Sequence, residues 1–150
     1  MKTNRFKQVL VACVASTIVR LSFNSCAVKT HFLTSKVVPA AQGIVQVSTD
    51  NNNNYVIKLE ISNLSPSSRL TPPSLAYIVW LVGEDNSAKS LGQLNSSDNF
   101  MSKNLNATFE AISASKPVKI VITAENDVAV QYPSFSEVIL TTDILNVKSR

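Results

Sequence analysis

Side chains that can act as nucleophiles, bases or metal ligands are scarce in this sequence of 150 residues. It contains one histidine, His31, and two cysteines, Cys13 and Cys26. A Ser-His-Asp triad needs a histidine held beside its serine, and His31 lies close to the N-terminal end. A phosphate-binding loop needs closely spaced glycines, and the three glycines here are scattered. The sequence therefore predicts a protein that is not an enzyme and has no cofactor.

Two groups of oxygen-bearing side chains are candidate sites. Asp50, Asn52 and Asn54 have the alternate spacing of calcium ligands, but Tyr55 stands where a calcium loop needs Gly and Ile61 where it needs a bidentate Glu. We therefore predict a hairpin turn there and no metal site. The carboxylates Glu60 and Glu110 fall on the outward faces of predicted strands, which is typical of solvated charges.

Aromatic side chains in predicted loops are the remaining candidates for contact with a ligand or partner. They are Phe100, Tyr132 and Phe135. Phe100 has two readings: with Met101 it anchors a polar loop into the core, or it forms an exposed apolar contact. A flat ring exposed on a loop suits recognition of a protein or of a sugar.

The first 25 residues have the pattern of an export signal. Lys2, Arg5 and Lys7 precede an apolar segment from Val9 to Val19, and a region with the small residues Ser22 and Ser25 then leads to Cys26. This apolar core is shorter than a membrane-spanning helix requires. We expect residues 1–25 to direct the chain out of the cytoplasm.

The tetrapeptide Phe23-Asn24-Ser25-Cys26 resembles the lipobox of bacterial lipoproteins. In that class, cleavage leaves the cysteine as the first mature residue, carrying a diacylglyceryl group. The resemblance implies that Cys26 is lipidated and that the protein is anchored to a membrane of the bacterial cell envelope. An ordinary cleaved signal and an uncleaved anchor are the alternatives.

The excess of basic over acidic residues lies entirely within this signal. The whole sequence has 14 basic and 10 acidic residues, a net charge of +4. Lys2, Arg5, Lys7 and Arg20 precede Cys26 and no acidic residue does, so the remaining chain carries ten of each sign. Net neutrality gives no support to a nucleic-acid partner.

The rest of the chain is long enough for one domain with a single core. Residues 26–36 show no clear period, and we expect a lipid-anchored tether there. Residues 37–145 carry the strand-like patterns, and residues 146–150 form a C-terminal tail. The tether lacks an acidic run after Cys26, so we expect the domain to face the periplasm.

The segment from Ala76 to Val82 is the predicted centre of the fold. It is an unbroken apolar run of strand formers between Pro72-Pro73 and Gly83, which is typical of a strand covered on both faces. It contains the only tryptophan, Trp80. We expect Trp80 to be buried between two sheets with Ile78 and Val82 on its face, and Tyr77, Val79 and Leu81 to lie on the opposite face.

Further strand patterns lie on both sides of this segment. The clearest is Tyr55–Ile61, whose alternate residues are apolar. In the segment Val118–Glu125 we expect Ile120, Ile122 and Ala124 to point inward and Thr123 and Glu125 outward. Turns separate the patterns and no helical period occurs. The sequence predicts an all-β fold, an immunoglobulin-like antiparallel sandwich of about seven strands.

Residues 75–141 resemble the extracytoplasmic β-sandwich domain of anti-sigma-K-type factors. The matching pieces are Tyr77-Ile78-Val79-Trp80-Leu81, Ser90-Leu91-Gly92, Val121-Ile122-Thr123-Ala124-Glu125, and Pro133 shortly before Val138-Ile139-Leu140. The resemblance implies a small β-sandwich in the cell envelope. It does not extend to sigma-factor binding, because the zinc-binding helical region and transmembrane helix of that family are not in this sequence.

Together these patterns favour a lipid-anchored, periplasm-facing binding or scaffolding module without catalytic activity. Its expected partners are the membrane, through the anchor, and another envelope protein or a glycan. A carbohydrate-binding module is the alternative, and an enzyme is a more remote one.

Overall fold

A computed structural model describes residues 27–94, 106–134 and 137–148 of the chain. Some of its strands follow the alternation of apolar and polar residues. In the segment Tyr55–Ser62, for example, Ile57, Leu59 and Ile61 are buried, whereas Lys58 and Glu60 are exposed. Burial of alternate side chains on one sheet face is thus the local cause of strand formation in this segment.

The described residues form eight strands in two four-stranded antiparallel sheets that pack against each other. The first sheet has the order β1-β2-β3-β6 and the second has the order β5-β4-β7-β8. The strands are β1 (Val28–His31), β2 (Gln42–Thr49), β3 (Tyr55–Ser62), β4 (Ala76–Val82), β5 (Ala88–Leu94), β6 (Ala107–Ser113), β7 (Lys119–Glu125) and β8 (Val138–Thr141), and a 3-10 turn spans Ser67–Arg69.

This architecture confirms the predicted all-β antiparallel sandwich. Without β1, the orders β2-β3-β6 and β5-β4-β7-β8 correspond to strands A-B-E and C′-C-F-G of immunoglobulin-like domains. The additional strand β1 lies at the edge of the first sheet, beside β2. It raises the number of strands from about seven, as expected, to eight.

The segment predicted to be a tether, residues 26–36, is instead largely part of the fold. Val28–His31 pairs with β2, and Phe32 is buried in the core. Phe32 also forms a bridge to Thr142, and the N–H of Leu33 donates to the carbonyl of Thr141 at 2.8 Å. This segment therefore joins the edges of the two sheets, and the folded domain begins before residue 37.

The predicted tail, residues 146–150, also contributes to the core. Val147 is buried together with Leu145, and the N–H of Leu145 donates to the carbonyl of Val118 at 2.8 Å. The C-terminal segment therefore continues along β7 after β8 ends.

The main core lies between the sheets. From the first sheet it receives Val45, Val47, Ile57, Leu59 and Ile61, and from the second Tyr77, Val79, Leu81, Ile120 and Ile122. Ile120, Ile122 and Ala124 point inward as predicted.

Trp80 is fully buried, as predicted, but on the other side of its sheet. The expected position between the two sheets is wrong: Trp80 belongs to a separate cluster with Ala76, Ile78 and Val121. The residues that fill the space between the sheets are Tyr77, Val79 and Leu81. A strand that is apolar on both faces can be buried either way round, so its sequence does not specify which face meets the other sheet.

The hairpin turn predicted at Asp50–Asn54 joins β2 to β3. Asp50 Oδ1 accepts the N–H groups of Asn52 and Asn54, each at 2.8 Å, and Asn53 has a φ of 62°. Asparagine tolerates this left-handed backbone better than most residues do.

Candidate functional site

The outer face of the second sheet, which points away from the main core, has an apolar centre. We call Ala76, Ile78, Trp80 and Val121 the outer cluster; all four are buried. Val82, Ala88, Val130 and Val138 pack against it. A sheet face this apolar is not stable in water without a cover.

Part of that cover is formed by residues 126–134 of the connection between β7 and β8, and we call these residues the strap. Its Val130 packs on the outer cluster. Residues 128–131 line a shallow depression together with Ala88, Lys89 and Ser90 of β5. The strap therefore leaves β7 at Glu125, crosses the outer face towards β5 and comes back to Glu125 at Ser134, in the manner of an Ω-loop.

A chain of buried polar side chains, which we call the polar chain, runs beneath the strap. Trp80 Nε1 donates to Thr123 Oγ1 at 2.8 Å, and Thr123 Oγ1 donates to Glu125 Oε1 at 2.5 Å. Glu125 also accepts two hydrogen bonds from Ser134: the backbone N–H reaches Oε1 at 2.9 Å and the hydroxyl reaches Oε2 at 2.8 Å. The two ends of the strap are thereby fastened to each other.

The direction of each bond in the polar chain follows from what its groups can do. An indole N–H can only donate, so the Thr123 hydroxyl accepts a hydrogen bond from Trp80. The same hydroxyl donates its own hydrogen bond to Glu125. An ionised carboxylate can only accept, and Glu125 receives three donors. The side chain of Glu125 forms no ion pair among the described residues, although the residue is only 3% exposed. Within the described part of the chain, this carboxylate is therefore stabilised by hydrogen bonds.

The loop between β3 and β4, residues 63–75, lies beside the base of the strap. The N–H of Leu75 donates to the carbonyl of Glu125 at 2.9 Å. The Tyr77 hydroxyl anchors the same loop by donating to the carbonyl of Ser65 at 2.6 Å. Burial raises the pKa of Tyr77 to about 12, so this phenol is a neutral donor at physiological pH.

Among the sequence-predicted contact residues, Tyr132 lies on the strap and is 80% exposed. Val128 on the strap and Leu75 beside its base are also exposed apolar residues. Phe100, Phe135 and the predicted lipidation site Cys26 lie outside the described residues. The structure thus places one of the three candidate rings in solvent, on a loop with a fastened base.

Both carboxylate oxygens of Asp50 accept hydrogen bonds from within the turn. Besides the two backbone bonds, Asp50 Oδ2 accepts from the side-chain amide of Asn54 at 3.1 Å. Hydrogen bonds from Asn54 and Asn52 hold the pKa of Asp50 below its ordinary value. In the part of the chain that the structure describes, no group of three His, Cys, Asp or Glu residues is arranged to hold a metal ion.

A second depression, of about 390 Å³, lies on the outer face of the first sheet. The strand register places His31, Ile44, Glu60 and Thr108 side by side in one row across β1, β2, β3 and β6. His31, Glu60 and Thr108 are all exposed. They form a solvated polar surface, and none is a buried group aimed at a ligand.

Thr123 and Glu125 were expected to point outward, and they do point away from the main core. Sequence reasoning missed that this outward face is covered and that its polar residues are bonded to Trp80. One signal was present: the outward residues of β4, namely Ala76, Ile78 and Trp80, are all apolar, which requires a cover over the neighbouring strand as well.

No helix among the described residues is long and apolar enough to span a membrane. In comparisons with known proteins, no family model, curated protein or solved structure matches the chain.

Proposed function

We propose that this protein is a lipid-anchored, non-catalytic binding module of the bacterial envelope, with its domain facing the periplasm and its partner contact on the strap. The observation that carries the contact is the position of Tyr132, 80% exposed on a loop whose two ends are fastened through Glu125 and Ser134. A recognition loop held by a rigid scaffold loses less conformational entropy on binding.

The envelope setting is supported by the sequence before the domain. The order of basic, apolar and small residues ending in Cys26 is that of an exported lipoprotein. The resemblance of residues 75–141 to the extracytoplasmic domain of anti-sigma-K-type factors favours the same setting.

The partner that fits this surface best is another envelope protein. Val128 is a further exposed aliphatic residue of the strap, and Asp127 is the one charged residue of the strap. A neutral, aromatic and aliphatic contact of this kind is typical of the centre of a protein interface.

Cross-linking and co-purification of the full chain from membranes test this contact. Tyr132→Ala should reduce recovery of the partner at least about tenfold, the loss typical of an aromatic hot spot. Ile112→Ala is the matched control, because Ile112 is equally apolar and 63% exposed but lies on β6 of the other sheet. Equal recovery with Tyr132→Ala and with the wild type would contradict the proposal.

A carbohydrate-binding module is the second candidate, and the exposed Tyr132 ring is the observation that favours it, because sugar rings pack against aromatic faces. Affinity electrophoresis in gels containing soluble polysaccharides distinguishes the two candidates. Retardation that Tyr132→Phe keeps and Tyr132→Ala loses would favour the glycan. Unretarded migration of the wild type, together with a protein partner lost in Tyr132→Ala, would favour the protein interface.

A further inference from the structure

We propose that the strap opens and closes as one unit over Trp80, with the carboxylate of Glu125 as its latch. This inference deepens the proposed function, because the strap carries Tyr132, and opening would regulate how that ring is presented.

Among the described residues, few contacts attach the strap to the rest of the domain. Residues 126–129, 131 and 132 are exposed, and Val130 and Pro133 are the apolar residues that face inward. Its internal bonds, from Ala129 N–H to Asp127 Oδ1 and from Gln131 Nε2 to the Ala129 carbonyl, are local and exposed. A segment with so few buried contacts belongs to the part of a structure that opens at low free energy, without unfolding of the sheets.

The closing contacts converge on one group. Both hydrogen bonds from Ser134 end on the Glu125 carboxylate, which also accepts a hydrogen bond from the Thr123 hydroxyl. Opening would remove the two Ser134 donors together and leave the carboxylate to water. Because bonds to a charged acceptor are about twice as strong as neutral ones, the closed state depends on this group more than on any other contact of the strap.

Trp80 is tied to the same event. Its indole N–H donates to the Thr123 hydroxyl, and that hydroxyl donates to Glu125. The indole and Ser134 therefore belong to one hydrogen-bond network that ends at the Glu125 carboxylate. Val130, from the middle of the strap, packs on the cluster that contains Trp80. Lifting the strap would therefore expose the Trp80 side of the sheet and displace Tyr132 at the same time.

The consequence for binding is a population effect. If the partner recognises the closed strap, the apparent dissociation constant rises in proportion as the closed fraction falls. Glu125 would then be a positioning residue, since it acts on the partner through the placement of Tyr132.

Hydrogen exchange of the full chain, followed by NMR at increasing low concentrations of urea, tests the latch without any partner. Two protons report on it: the backbone N–H of Ser134 and the indole N–H of Trp80. Both should exchange through a common opening with little dependence on urea, faster than the amides of β4 and β7, which exchange with the urea dependence of global unfolding.

In Glu125→Gln, both reporters should exchange about tenfold faster, the effect of losing a charge-assisted bond. Amides that exchange through global unfolding should accelerate by the same factor, because that bond is broken in the unfolded chain too. The ratio between the exchange rates of the two reporters and those of these amides should therefore remain unchanged. Glu60→Gln is the matched control, an exposed glutamate on the first sheet, and should change neither rate.

Two results would overturn the proposal. One is exchange of both reporters at the rate and urea dependence of the β4 and β7 amides, which would mean that the strap opens only when the domain unfolds. The other is acceleration of Ser134 without Trp80. If Glu125→Gln fails to fold, Ser134→Ala gives the same test, because it removes one donor and keeps the reporting N–H. A strap that opens while Tyr132→Ala leaves partner recovery unchanged would refute the proposed contact and not the latch.

Discussion

At the scale of single residues, the two large rings of β4 perform the same task on opposite faces. Tyr77 is buried in the main core, and its hydroxyl bonds a carbonyl of the β3–β4 loop. Trp80 is buried in the outer cluster, and its N–H bonds Thr123 in the polar chain. Each ring contributes apolar burial and satisfies its polar atom at a loop or strand that would otherwise be less firmly held.

Truncation of Trp80 should destabilise the domain although it is outside the main core. We expect Trp80→Ala to lower the free energy of unfolding by about 3 kcal/mol, the lower end for a buried aromatic residue. Trp80→Phe should lower it by about 1–2 kcal/mol, because the Thr123 hydroxyl loses its donor. Urea unfolding followed by circular dichroism measures both. A loss below about 1 kcal/mol for Trp80→Ala would mean that the outer cluster is not a packed core.

Tyr77 should make stability depend on alkaline pH. Its pKa is about 12 in the folded protein and 10.0 without burial. The folded state therefore favours the neutral phenol, so this contribution is complete below pH 10 and is lost as the pH rises towards 12. At neutral pH, Tyr77→Phe should have a free energy of unfolding about 1 kcal/mol below that of the wild type, because the hydrogen bond to Ser65 is lost.

The same variant supplies the control at high pH. Chemical denaturation between pH 9 and 12 should show a steeper fall in the free energy of unfolding for the wild type than for Tyr77→Phe. Parallel profiles for the two proteins would show that Tyr77 ionises equally easily in both states.

At the scale of elements, β1 changes the account of how the two sheets are joined. The ring of Phe32 fits where Gly43 has no side chain: a Cβ placed on Gly43 would approach Phe32 Cδ2 to 2.8 Å. Phe32 then bridges to Thr142 beyond β8. The N-terminal strand is therefore part of the seam between the sheets.

Adjacent substitutions distinguish a strand from a tether. Phe32→Ala should lower the free energy of unfolding by about 3–5 kcal/mol, as for other buried phenylalanines. Leu33→Ala, at the next position but 44% exposed, should change it by less than about 0.5 kcal/mol. Thermal or urea unfolding of the two variants gives the comparison. Equal stability of both with the wild type would restore the tether interpretation.

The sequence predicts elements well where alternation is long. The eight residues of β3 and the apolar run of β4 specify their strands, and the inward residues of β7 are correct. β1 escaped prediction because Val-Lys-Thr-His is too short for its period to stand out, and only pairing with β2 makes it a strand. The polar chain escaped because it depends on a loop folding back across a sheet, and local periodicity carries no information about such a contact.

At the scale of the whole molecule, the proposed lipid anchor would do the work of membrane attachment. The chain from Cys26 onwards has ten charges of each sign. It therefore has no net positive charge that would attract it to an anionic surface.

We expect Cys26 to be the lipidated first residue of the mature chain. Mass spectrometry of protein extracted from membranes should detect a diacylglyceryl group on a chain beginning at Cys26. Cys26→Ser should move the protein to the soluble fraction, whereas Cys13→Ser, in the apolar part of the signal, should leave it in the membrane. Soluble wild-type protein that begins at another residue would contradict the lipobox assignment.

The early start of β1 also has a bearing on orientation. Val28 is two residues after Cys26, a reach of only about 7 Å. With lipid on Cys26, the domain would be held close to the bilayer and would not be separated from it by a flexible tether. Val28 enters the sheet towards the end that carries the Asp50 turn, since it pairs with Val47 and not with Ile44. Glu125 and Leu75 lie at the opposite end of strands about 23 Å long. The base of the strap would then point away from the lipid, at a standoff of about two nanometres. That standoff would set the distance at which the proposed partner could bind.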